Sequence, residues 1–143
     1  MPSHEQTAVY NIPILVTEGQ AMATLLLWDE APEDPNEVKL RFEFKSQVLE
    51  TRSERGYFRA LCDLRQQLEA SGLLVACYGG SENVYPSPMI ESMGCGDKAY
   101  RLTLGMPART QDLVSIFDHG DDVVPATVES QERFYELWLT SLQ

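Results

Sequence analysis

Positive charge is what this sequence has least of. Eleven Lys and Arg stand against 22 Asp and Glu, a formal net charge of −11 over 143 residues. A surface so poor in cations excludes binding to the phosphates of nucleic acid and docking on anionic lipid. Cysteine is scarce too. Cys62, Cys77 and Cys95 are an odd number without metal or redox spacing, so reduced thiols in a cytoplasmic protein are expected. No apolar run, Leu25 to Trp28 included, comes near the length needed to span a bilayer. The N-terminal stretch has no basic leader or long apolar segment before a cleavage site. Phosphate-loop and hydrolase signatures are missing. Gly79-Gly80-Ser81 lacks the Lys of a Walker loop and the third Gly of a dinucleotide fingerprint, and reads as a turn; no nucleophile elbow occurs. No metal and no cofactor are expected.

What remains is a globular composition, 43% hydrophobic with two Trp, six Tyr and five Phe. The length fits one domain over residues 1–143, with 1–7, including His4, as a flexible tail. The charge is segregated. Residues 1–37 hold seven carboxylates and no Lys or Arg; residues 38–69 have a net charge of +2; residues 70–109 balance; residues 110–143 reach −6 with Arg133 as the only base. A field of one sign selects partners of the other sign and speeds their encounter.

The pattern of residues predicts an α+β fold: a mixed or mainly antiparallel sheet with a central helix and a C-terminal helix packed on it. Ile12 to Val16 contains Pro13, which cannot donate in a ladder, so an edge strand is expected. Ala21 to Trp28 is nearly all apolar, as in a strand covered on both faces. Val38, Leu40, Phe42 and Phe44 alternate with Lys39, Arg41, Glu43 and Lys45, a strand with one wet face. Together these suggest a meander. Thr51-Arg52-Ser53-Glu54 matches a capping box, followed by the helical stripe Tyr57, Leu61, Leu64 and Leu68, with Arg59 and Asp63 as a surface pair and Gly72 as the stop. Leu73 to Tyr78, Tyr100 to Leu104 and Leu113 to Phe117 read as strands, and Pro88 to Met93 as one or two helical turns. The last helix starts at the N-cap Thr127 and turns Phe134, Tyr135, Trp138 and Leu142 to the sheet, with Leu137 and Leu139 widening the stripe.

Three places could carry chemistry. Cys95 sits between Gly94 and Gly96, where a substrate could approach closely. A thiol there, activated by His119 and an Asp, would be a nucleophile; the plainer reading is a small residue in a tight turn. Asp118, His119, Asp121 and Asp122 offer metal-type ligands, but their spacing matches neither an EF-hand nor a zinc helix, so a solvated acidic loop is expected. The long Gly- and Pro-rich segment from Tyr78 to Gly96 has the makeup of a binding element.

The runs Cys77-Tyr78-Gly79-Gly80-Ser81, Tyr85-Pro86-Ser87-Pro88-Met89, Met93-Gly94-Cys95-Gly96, Ala99-Tyr100-Arg101-Leu102, Val114 to Asp118 and Ala126 to Trp138 resemble small bacterial proteins associated with secreted polymorphic toxins, to which an immunity role is ascribed. The resemblance covers roughly the C-terminal half. It implies a cytoplasmic protein that binds a toxin domain and silences it without catalysis. Complementary charge and a few apolar anchors suffice for that. On this reading a basic toxin domain meets Asp29, Glu30, Glu33 and Asp34 in one loop and Asp118, Asp121 and Asp122 in another, with Tyr78, Tyr85 and Met89 as apolar contacts. The rival expectations are a thiol-dependent enzyme around Cys95, and a small-ligand or assembly module whose acidity serves solubility.

Overall fold

Residues 5–143 are described by a computed structural model of the chain. The three strands of the expected meander are joined by a fourth that was not expected: β1 (Ala8–Val16), β2 (Gly19–Trp28), β3 (Val38–Phe44) and β4 (Gln47–Ser53). With the two-residue β5 (Leu74–Val75) they make a five-stranded antiparallel sheet in the order β4-β3-β2-β1-β5. A second antiparallel sheet contains β6 (Val84–Tyr85), β7 (Lys98–Arg101) and β8 (Leu113–Ser115). Three helices complete the α+β architecture: α1 (Tyr57–Glu69), the short α2 (Pro88–Ser92) and the C-terminal α3 (Val128–Ser141). Among the described residues, no helix is long and apolar enough to cross a membrane. The expected tail over 1–7 lies mostly outside the described residues. Thr7 is held: its N–H donates to the Leu27 carbonyl and its Oγ1 accepts from the Asp29 N–H.

Two strand expectations need correction. β1 is an interior strand despite Pro13, flanked by β2 and β5. In an antiparallel ladder each residue turns its N–H and C=O to the same neighbour. Pro13 turns toward β5, where its carbonyl accepts from Ala76 N at 2.7 Å and the ladder ends at Val75. The missing N–H therefore falls where pairing stops. The second correction is β4. Thr51 to Glu54 does not cap a helix: Thr51 lies within β4 opposite Leu40, and its hydroxyl donates to the Ala60 carbonyl of α1 at 2.8 Å. Gly56 (φ 95, ψ −179) precedes the helix instead. There the N–H groups of Tyr57 and Phe58 donate to the carbonyls of Cys95 and Gly96, so a distant backbone segment supplies the cap that no side chain does. A Cβ on Gly56 would lie 2.7 Å from the Cys95 oxygen.

The stripe of α1 packs as expected. Tyr57, Leu61, Leu64 and Leu68, joined by Phe58, bury against Ile12, Ile14, Leu25, Leu40 and Phe42. Each such side chain contributes about 1.5–3 kcal/mol through lost apolar exposure. The helix ends with Gly72 at φ 77 and Leu73 N–H closing on the Leu68 carbonyl. Gly79 and Gly80 form a turn, as the sequence suggests, and are needed for packing: a Cβ on Gly79 would meet Leu61 Cδ2 at 2.5 Å.

Thr127 caps α3, its Oγ1 accepting from Ser130 N–H at 3.1 Å. The helix packs on β6 and α1. Leu137, Leu139 and Leu142 are exposed rather than extending the buried stripe. The buried face of α3 includes a polar residue instead. Gln131 and Arg65 of α1, 0% and 2% exposed, form a network. Arg65 donates to Gln131 Oε1 (2.6 Å), Gly79 O (3.1 Å) and Ala126 O (2.9 Å). Gln131 Nε2 donates to the carbonyls of Gly79, Ser81 and Val84. The network ties both helices to the 79–84 segment.

Candidate functional site: an open sheet face between two acidic loops

α1 covers only one face of the five-stranded sheet. Alternation along each strand sends Ile12, Ile14, Ala23, Leu25, Leu27, Leu40 and Phe42 to the core. The opposite face carries, in paired rows, Val9 beside Leu26, Asn11 beside Thr24, Pro13 beside Met22, and Leu15 beside Gln20. Val9 and Met22 are 52% and 54% exposed. The second face of β2, expected to be covered, is therefore open at Met22 and half-buried at Thr24, Leu26 and Trp28, while Pro13 of β1 is buried.

The β3–β4 half of this face is charged but internally neutralised. Lys39 pairs with Glu33 (2.7 Å) and Glu50 (3.5 Å), and its ammonium lies over the Trp28 ring. Arg41 pairs with Glu43 and Glu50, and Arg52 with Glu37. Glu33 and Glu37 belong to the acidic loop that follows β2, so these contacts draw the loop onto the top row of the open face. Its Lys39 hydrogen bond holds the Glu33 carboxyl below its ordinary pKa. Asp34 Oδ1 accepts from Asn36 N–H, and Glu30 is exposed.

The second acidic loop borders the same face from the β1 side. Pro13, Leu15 and Gln20 line one wall of a cleft of about 360 Å³, and His119, Gly120, Asp121 and Val123 line the other. Asp118 and Asp121 are exposed. Asp122 is tied back: it accepts from Tyr78 OH at 2.6 Å and Arg101 Nη1 at 3.2 Å, and the Tyr78 bond foremost holds its pKa below the usual value. Among the described residues, eight of the eleven Lys and Arg are spent in ion pairs, while Glu30, Asp34, Asp118 and Asp121 have no such pair.

The expected apolar contacts sit elsewhere. Tyr85 is buried, stacked on Tyr135 at 4.2 Å and edge-on to Phe58, and so cannot be a surface anchor. Tyr78 is half-buried with its hydroxyl engaged by Asp122. Met89 is 70% exposed on α2, away from the open face. Arg59 turns to Glu91 and Tyr85 instead of pairing with Asp63.

α2 flanks a different cleft, about 450 Å³, lined by Asp29, Asn36, Arg55, Glu91 and Cys95 among others. Asp29 accepts from Tyr57 OH at 2.6 Å. Burial, then the hydrogen bond to Asp29, pushes the Tyr57 hydroxyl well above its usual pKa. Burial first and Asp29 second also push the Cys95 thiol up, opposite to the activation a nucleophile needs. His119 lines the other cleft, so the structure does not bring Cys95 and His119 together. Burial raises Cys62 and Cys77 to about 11.

The sequence showed the two acidic loops but not that they flank one face. The available signal was the apolar outer set of β2 (Met22, Leu26, Trp28), which alternation separates from its core set. No protein-family model matches the sequence, and no curated protein matches it.

Proposed function

We propose that this chain is a cytoplasmic bacterial immunity protein, a non-enzymatic inhibitor that binds a basic toxin domain and occludes it without covalent chemistry. The reading rests on the convergence of the two acidic loops, separated by more than eighty residues, on one uncovered sheet face. Among the described residues, eight of the eleven Lys and Arg are spent in ion pairs while Glu30, Asp34, Asp118 and Asp121 are left without one, so the field projected from the two loops is negative. A toxin domain that acts on anionic substrates has a basic cleft, and an acidic surface can occupy it in place of the substrate. The raised Cys95 thiol and its separation from His119 give a thiol-dependent enzyme no comparable support.

Growth tests the proposal. Cells expressing the protein encoded beside this chain are expected to stop growing, and to recover when the wild-type chain is supplied. A variant with Glu30→Gln, Asp34→Asn, Asp118→Asn and Asp121→Asn, verified as folded by circular dichroism, is expected to rescue poorly. Normal growth without this chain, or full rescue by the variant, contradicts it.

A further inference from the structure

We infer that the apolar strip on the β1–β2 half of the open face, formed by exposed Val9 and Met22 with half-buried Leu26 and Leu15 beside them, is the anchor that holds the partner, while the acidic loops only steer it. This rests on the proposed basic protein partner and names the surface that partner covers. The strip lies side by side in the register of β1 and β2, and the Asn11–Thr24 row between its members is joined by a 3.5 Å hydrogen bond. The arrangement is that of an interface: apolar side chains on either side of one internally bonded polar pair, with charged groups at the rim. On one flank the β3–β4 charges are satisfied in five ion pairs, three among themselves and two with Glu33 and Glu37 of the acidic loop. On the other, the strip runs into the cleft of about 360 Å³ with Asp121 on its far wall.

That geometry fits a protein surface of particular chemistry: apolar side chains on Val9, Met22 and Leu26, and an adjacent Lys or Arg entering the cleft toward Asp121. A second copy of this chain fits poorly, because two bodies of net charge −11 repel. The division of labour follows from where each group sits. Exposed charges at the rim act at a distance and set the association rate; apolar side chains desolvated at the centre set the lifetime of the complex.

The probe is the protein that the wild-type chain captures from its own cells at low salt, purified and titrated by surface-immobilised kinetics. The strip variant is Val9→Thr/Met22→Gln; both positions are half-exposed, so the core is untouched. Leu137→Gln, on exposed α3 surface, is the control. The strip variant is expected to dissociate roughly 10- to 100-fold faster with its association rate nearly unchanged. Asp118→Asn/Asp121→Asn is expected to associate several-fold more slowly with dissociation nearly unchanged. Unchanged dissociation of the strip variant, with slowed association of the loop variant, overturns the anchor and leaves the basic-partner reading standing. Unchanged association of the loop variant overturns that reading. Capture of no basic protein overturns both.

Discussion

Replacing Gln131 by Leu keeps the size of the side chain and removes its polar head from a fully buried site. Four hydrogen bonds disappear: one from Arg65 and three to carbonyls. They are not equivalent. The Gly79 oxygen still accepts from Arg65, and the Ser81 oxygen still accepts from Val84 N–H. The Val84 carbonyl is worse placed. Leu102 N–H donates to Asn83, so in the alternating ladder Val84 turns away from β7 and toward Gln131. One orphaned carbonyl costs about 1–3 kcal/mol, and the lost charge-assisted bond of Arg65 about 1.5–3 kcal/mol more. The expected loss is about 3–5 kcal/mol, a large share of the roughly 5–15 kcal/mol available to a domain. For a chain of this length that lowers the melting temperature by roughly 10–15 °C. Urea titration, followed by circular dichroism and the fluorescence of Trp28 and Trp138, measures it. Arg65→Met and the double variant complete a cycle, in which the two losses should not add. A loss below about 1 kcal/mol for Gln131→Leu would refute the network's role.

Three further outcomes follow from local geometry. Gly56→Ala should destabilise by about 1–3 kcal/mol in urea, because its backbone conformation is essentially restricted to glycine and the new Cβ meets the Cys95 carbonyl; a neutral result would mean that the strap across the start of α1 is dispensable. Asp122 has a depressed folded pKa, so its stabilising contact is present above the ordinary aspartate value and is lost as pH falls through the folded value. Asp122→Asn should therefore flatten the acid limb of the stability profile, and an unchanged limb would show that the contact is not formed. Cys95 should react with iodoacetamide at neutral pH more slowly than a free thiol, and faster after Asp29→Asn, as followed by intact mass; rapid alkylation of the wild-type chain would contradict the raised pKa.

Much of the fold was legible because it is written in short periods. The alternation of β3, the stripe of α1 and the Thr127 cap each depend on residues a few positions apart, and each appears where the pattern places it. β4 was hidden by ambiguity: a Thr three residues before a Glu suits a capping box, and here the hairpin turn at Lys45 (φ 54) carries the chain into a strand instead. The burial of Arg65 and Gln131 was illegible, because their contacts join residues 66 positions apart and both side chains are ordinarily solvent-facing. The candidate site was half legible. Charge counting found both acidic loops but could not show that Lys39 and Arg52 would neutralise Glu33 and Glu37, or that β2 would be only partly covered on one side.

The most direct test of the account is the association rate constant of the purified pair as ionic strength rises from about 10 mM to 150 mM, which shortens the screening length from about 30 Å to 8 Å. Steering by Glu30, Asp34, Asp118 and Asp121 predicts a steep fall in that rate while dissociation hardly changes. An association rate that stays flat across this range would contradict recruitment by the acidic loops.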